Sequence, residues 1–149
     1  MVSRTIANDI NGALFGRQGQ ISAPNTWYFG LCTAEPTINE SGDGVINGEL
    51  SNSTGYQRVA IANTTTNFNA PAHTAEMPLS YISNKTVIEM PVITGGGDVD
   101  VAYFFLSRNS SGSTCDVWGR FTKVRHLSID SQLIIPAGAA VFELTNAAQ

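Results

Sequence analysis

Charge is scarce in this chain. Only 13% of its 149 residues are Asp, Glu, Lys or Arg, about half the ~25% usual for a soluble domain. Eight basic residues against 12 acidic ones give a net charge of -4. This charge disfavours binding to nucleic acid or to an anionic membrane surface. The hydrophobic share of 42% excludes a disordered chain on composition. These values predict one neutral domain rich in Asn, Ser, Thr and Gly.

Long apolar runs are also missing. No stretch approaches the about 20 residues that span a bilayer, and residues 1–20 lack the apolar core and cleavage site of a secretory signal. The only two cysteines are Cys32 and Cys115, each within a strand-like run. This placement favours free, buried thiols, with a disulfide as the alternative.

Catalytic motifs are absent as well. The chain contains no G-x-S-x-G, H-E-x-x-H, Walker, G-x-G-x-x-G or C-x-x-C pattern. Glycines 95–97 precede a strand and so predict a turn. His126 is either a structural strand residue or, in a hydrolase, a base near Ser128 or Ser131, and His73 is expected to be exposed in a loop. We therefore expect no catalytic residue, no cofactor and no metal.

The acidic residues leave two alternatives open. Asp98 and Asp100 alternate along a strand and point to one side, as a glycosidase pair or a cation site would require. A loosely calcium-like loop contains Glu40, Asp43, Asn47 and Glu49. The simpler interpretation is that these are solvated polar side chains at a strand entrance and in a loop.

The aromatic residues permit a sugar-binding platform, because exposed rings stack on sugar faces. In such apolar strands, however, they more commonly belong to a core or an interface. The residues concerned are Trp27, Tyr28, Tyr56, Tyr103 and Trp118.

The N-terminal segment has helical periodicity. Ile6, Ile10 and Leu14 recur every four residues, Ser3 is a suitable N-cap and Gly16 a suitable stop. Because so short a helix is marginal alone, its apolar stripe should pack on its own domain or on a neighbouring subunit.

Strand-like segments with turn residues between them occupy the rest of the chain. They are 26–33, 56–62, 86–90, 98–107, 114–122, 124–129, 132–135 and 140–144, and a long loop covers 35–55. The pattern predicts an all-β chain: a single, jelly-roll-like β-sandwich of about eight antiparallel strands with a short N-terminal α-helix. We expect a docking helix within 1–20 and the sandwich within 21–149.

The order of several motifs resembles a family of small bacteriophage tail-fibre-type virion proteins. The helix ends at Phe15-Gly16, and residues 27–36 (WYFGLCTAEP) are similar to the family's YLGLST-x-x-P strand. Further similar segments are STGYQRVA at 53–60, NTTTNF at 63–68, VAYFF at 101–105, VWGRFT at 117–122 and IPAGA at 135–139. Residues 77–91 match no family motif.

The resemblance implies a non-enzymatic structural protein of the virion, made in the host cytoplasm, that assembles with itself and with other phage proteins. The chain has neither repeats nor a coiled coil. Their absence favours a compact component of the virion: a tail appendage, a baseplate or collar piece, or a capsid-decorating protein. The alternative is a carbohydrate-binding module that recognises a host surface glycan. The candidate subunit contacts are Ile6, Ile10, Leu14, Phe15, Glu35, Pro36, Ile38, Val45 and Ile46.

Overall fold

The structure is a computed structural model that describes residues 1–17, 19, 21–75 and 80–143. In this part of the chain one α-helix precedes eleven strands. They are α1 (Arg4–Leu14), β1 (Thr26–Cys32), β2 (Thr37–Ile38), β3 (Gly44–Val45), β4 (Val59–Ala62), β5 (Tyr81–Ser83), β6 (Ile88–Glu89), β7 (Val99–Ser107), β8 (Thr114–Cys115), β9 (Val117–Leu127), β10 (Ile134–Ile135) and β11 (Val141–Glu143). All strand ladders are antiparallel, which confirms the all-β prediction with one short N-terminal helix.

Helix α1 begins and ends where its sequence predicts. The Ser3 side chain accepts a hydrogen bond from the Ile6 amide, which satisfies one of the free N–H groups of the first turn. Phe15 is the C-cap, and Gly16 follows with φ of 68°, a conformation that suits glycine. Ile6 is buried in the main core and Ile10 packs against it. The first half of the helix therefore shares one core with the strands.

Four strands form the central sheet in the order β4-β1-β7-β9. A bridge between Val2 and Val117 places the N-terminal residues beside the outer strand β9. The amide of Ser3 also donates to the carbonyl of Asp116. The beginning of the chain thus continues the hydrogen-bonding pattern of this sheet.

The central sheet is covered on both faces, because successive side chains of a strand alternate between them. The main cluster includes Phe29, Leu31 and Phe104, whereas the second cluster includes Cys32 and Phe105. This confirms the prediction of a β1 strand buried on both sides. The Phe105 ring lies over Gly30, where any Cβ would collide with it, so glycine is required at this position.

The main cluster is held by aromatic contacts around one ring. Phe104 stacks with Phe29 at a centroid distance of 5.7 Å and meets Phe142 edge-on at 5.2 Å. Such offset and edge-to-face pairs add about 0.5–1.5 kcal/mol beyond their burial. The Phe142 contact joins the central sheet to β11, whose own ladder partner is β5.

Several local predictions differ from the structure. The strand predicted at 56–62 begins only at Val59, and β5 was not predicted. The 35–55 segment is not wholly loop: β2 and β3 lie within it, β2 pairs with β3, and β3 pairs with β8. The predicted strands 114–122 and 124–129 are wrong at their boundary, since β9 runs unbroken from Val117 to Leu127 and the break lies before it. A register shift opposite Val101 and Tyr103 lets β9 carry extra residues without ending.

The strand number is eleven within the described residues rather than about eight, because several are two-residue strands. They form a three-stranded sheet, β2-β3-β8, and the pairs β10-β6 and β11-β5. The sandwich layering and the domain division at residue 20 stay predictions. Of the segments named from sequence, Leu144 and residues 76–79 lie outside the described residues.

Candidate contact surfaces

The end of helix α1 presents two large apolar side chains to solvent. Leu14 is 72% exposed and Phe15 is 75% exposed. Exposing such side chains is unfavourable unless another surface covers them. The four helix residues proposed as contacts therefore divide into two groups: Ile6 and Ile10 pack on the chain's own core, and Leu14 with Phe15 stays open.

The proposed contacts in the 35–55 segment also divide. Glu35 and Ile38 are exposed and Val45 is half-buried, while Pro36 and Ile46 are buried. Ile46 belongs to the second cluster beneath β7 and β9. In this arrangement the outer face of the segment offers Glu35 and Ile38 for contact.

A buried ion pair, which the sequence analysis did not identify, fixes the same segment to the sheet. Arg58 donates to both carboxylate oxygens of Glu49, from Nε and from Nη2, at 2.7 Å each. The hydroxyl of Tyr56 donates to Glu49 Oε1 at 2.9 Å. The Arg58 side chain is only 3% exposed, so this carboxylate is the compensating charge that its burial requires.

The Arg58 guanidinium also holds the loop that follows β7. It donates to the carbonyls of Asn109 and Gly112 and lies 5.0 Å from the centre of the Phe105 ring. Burial lowers the pKa of Arg58, but the hydrogen bonds and charge of Glu49 outweigh this effect and raise it overall. We call Glu49, Tyr56 and Arg58 the clasp. The partners come from separate segments, since Tyr56 and Arg58 precede β4, which begins at Val59, and Glu49 lies in the 35–55 segment; no local pattern identifies them as a group.

Asp98 and Asp100 flank a histidine across the sheet. His126 Nδ1 lies 2.8 Å from Asp100 Oδ1, and His126 Nε2 lies 3.5 Å from Asp98 Oδ2. The predicted common side of the two acids is therefore confirmed, and β9 adds His126 between them. Hydrogen bonding to Asp100 and the nearby Asp98 charge raise the pKa of His126. All three side chains are more than 60% exposed.

Of the two serines considered beside His126, Ser131 is hydrogen-bonded to the backbone of Ser128. The Ser131 hydroxyl donates to the carbonyl of Ser128, and the Ser128 amide donates back to Ser131 Oγ. His73 is exposed, as its sequence context predicts. Over the described residues, no three or more His, Cys, Asp or Glu side chains gather as they would around a metal ion, and this includes the acids of the 40–49 loop.

Three of the five aromatic residues considered for a sugar platform belong to the core. Trp27, Tyr56 and Trp118 are at most 8% exposed, whereas Tyr28 and Tyr103 are half-buried. A groove of about 450 Å³ is lined by Tyr103 and Trp118, with Glu35, Arg120 and Glu143 around it. In this groove two of the five aromatic residues lie beside charged side chains.

Both cysteines are free and buried, which confirms the prediction of thiols rather than a disulfide. Burial raises the pKa of Cys32 and of Cys115 to about 12. At neutral pH both are therefore protonated, and a protonated thiol is a poor nucleophile.

Comparison with known proteins settles the family. The model of the family described as podophage GP4 fiber I protein gp80 matches residues 1–143. The chain belongs to this fibre family. No curated protein matches it. The match extends from helix α1 through β11 and confirms the resemblance to tail-fibre-type virion proteins.

Membership of the fibre family gives the chain a structural role in a phage virion, in association with other virion proteins. The described part of the chain holds no helix with the length and apolarity needed to cross a bilayer. Three surfaces are candidates for contacts of this kind: the exposed helix end, the outer face of the 35–55 segment and the groove beside Tyr103.

Proposed function

We propose that this chain is a non-enzymatic subunit of a phage tail appendage that attaches to its neighbours through the end of helix α1. The observation that carries the proposal is the exposure of Leu14 and Phe15 at 72% and 75%. Leu14 is the last residue and Phe15 the C-cap of a helix that is capped by Ser3 and anchored through Ile6. Burying the two side chains against a partner would contribute about 1.5–3 kcal/mol each.

The outer face of the 35–55 segment is proposed as a second part of the same contact. Ile38 is 40% exposed on strand β2, and the clasp holds the following residues to the sheet through Glu49. A pre-organised surface loses less conformational entropy on assembly than a free loop does. Copies of this chain and other virion proteins are the proposed partners.

Particles assembled with substituted protein test the role of the helix end. The variant is Leu14→Ser with Phe15→Ser, and its matched control is Val87→Ser with Val92→Ser, two other exposed apolar residues (52% and 43%). We expect both proteins to fold and the helix variant alone to be depleted from purified particles at least about tenfold, which corresponds to 1.4 kcal/mol. Normal incorporation of a folded helix variant would overturn the docking role.

A second candidate function is recognition of a host surface glycan. The observation that favours it is the groove in which half-buried Tyr103 is surrounded by Glu35, Arg120 and Glu143. Buried Trp27 and Tyr56 give it no support. The groove shares Glu35 with the outer face of the 35–55 segment but shares no residue with the helix end, so glycan recognition is compatible with docking through the helix end.

A further inference from the structure

The groove beside Tyr103 has the shape and size of a small-molecule site. Its volume is about 450 Å³, within the about 300–1,000 Å³ usual for ligand pockets. Strands β7, β9 and β11 supply its walls through Tyr103, Arg120 and Val141, and Glu35 contributes from the segment before β2. Three of these four residues lie on strands of the fold, so the groove is formed before any ligand arrives.

The lining combines an aromatic surface with a positively charged hydrogen-bond donor and negatively charged acceptors. The Arg120 guanidinium lies 5.8 Å from the centre of the Tyr103 ring, which keeps this long side chain beside the groove. Glu35 and Glu143 supply acceptors, and Arg120 supplies donors. Hydroxyl groups act as donor and acceptor at once, so such a lining suits a ligand that carries many of them.

A buried tryptophan forms part of the groove wall. Trp118 lines the groove and is 2% exposed, and its ring reaches Gly44 of β3 at Cζ3. Its indole N–H has no hydrogen-bond partner among the described residues and almost no accessible surface, so a ligand in the groove would not bond to it directly. Because the ring itself lies in the wall, the indole signal reports whether the groove is occupied.

The balance of charges narrows the ligand class. Two carboxylates, from Glu35 and Glu143, face the guanidinium of Arg120 and the amine of Met1, whose pKa is lowered by burial. Glu143 is half-buried and Glu35 exposed. This arrangement has no excess of positive charge to favour a strongly anionic ligand.

From this groove we infer a binding site for a neutral saccharide, one or two sugar rings long, with Tyr103 as its aromatic wall and Glu35 and Arg120 as its hydrogen-bonding groups. The inference rests on the second candidate function and gives it a location and a ligand class. It does not depend on the helix end, whose role is measured by incorporation into particles.

The two tryptophans make the test direct, because each gives one indole N–H signal in a ¹H–¹⁵N spectrum. The Trp27→Phe variant assigns the Trp118 signal. Maltose, lactose and diacetylchitobiose are each titrated to about 20 mM. This concentration would nearly saturate a site with a dissociation constant of about 1 mM. We expect at least one of them to shift the Trp118 signal saturably and to leave the Trp27 signal in place.

Matched variants locate the binding. Glu35→Gln and Arg120→Gln should each weaken binding of that saccharide at least about tenfold, since each removes a charge-assisted hydrogen bond. Glu40→Gln, another exposed acid of the same segment but outside the groove, should bind normally.

Three results would overturn the inference: no saturable shift with any of the saccharides, equal binding by all three variants, or a Trp118 shift that follows protein concentration alone. The last result would mean that a second copy of the chain covers the groove. None of the three affects the helix-end proposal, so the two can fail separately.

Discussion

Removal of the Glu49 charge tests whether the clasp holds the 35–55 segment to the sheet. Glu49→Gln keeps the size of the side chain but leaves Arg58, whose side chain is 3% exposed, without its counter-charge. Removing one partner of a buried pair costs about 3–5 kcal/mol. Here Glu49 is 23% exposed and two carbonyls still accept from Arg58, so we expect about 2–3 kcal/mol.

Urea unfolding followed by tryptophan fluorescence measures this loss. With a slope of about 2 kcal/mol/M, the midpoint should fall by about 1 M. The matched control is Glu89→Gln, an exposed acid on β6, for which a change within about 0.5 kcal/mol is expected.

A double-mutant cycle with Arg58→Met separates the ion pair from general effects of substitution. Because Glu49 and Arg58 share two hydrogen bonds, their coupling should exceed about 1 kcal/mol. A Glu49→Gln protein as stable as the Glu89→Gln control, together with zero coupling, would refute the reasoning.

Two further predictions concern titrating groups. The pKa of His126 should lie above its ordinary value of about 6.5, because Asp100 and Asp98 favour the protonated imidazole. Protonated His126 therefore stabilises the folded protein. This stabilisation is complete below about pH 6.5 and is lost as the pH rises through the pKa of His126 in the folded state. NMR titration in a His73→Asn background checks this, and an unchanged midpoint in Asp98→Asn/Asp100→Asn would contradict it. The two buried thiols, with pKa values of about 12, should resist a disulfide reagent until the protein unfolds; rapid reaction of native protein would show that the second cluster is open.

The features predicted well are those that neighbouring residues determine. Ser3 and Gly16 bound the helix because a cap and a left-handed stop act within one turn. Strand β1 was recognised as buried on both faces because apolar residues occupy both sides of its period-2 pattern. The family resemblance, too, came from short motifs in a common order, and the match over residues 1–143 confirms it.

The features that were missed need partners distant in the chain. Strand β3 lies between β2 and β8; β2 is a local partner, but no pattern within the 35–55 segment reveals β8 as the other one. The long β9 was divided in the prediction because a register shift against β7 is visible only in the assembled sheet. Apolar character also could not separate Trp118, which is buried, from Tyr103, which is half-buried.

The sequence by itself determined a low-charge, all-β chain with a capped N-terminal helix, since composition, caps and side-chain alternation are local properties. Only the tertiary structure decided which residues face one another. It brought Arg58 to Glu49 and His126 to Asp98 and Asp100, and it buried Ile6 while it left Leu14 open. The reason is that strand register and packing depend on contacts between distant segments, and a change of one residue in register would exchange the two faces of a strand.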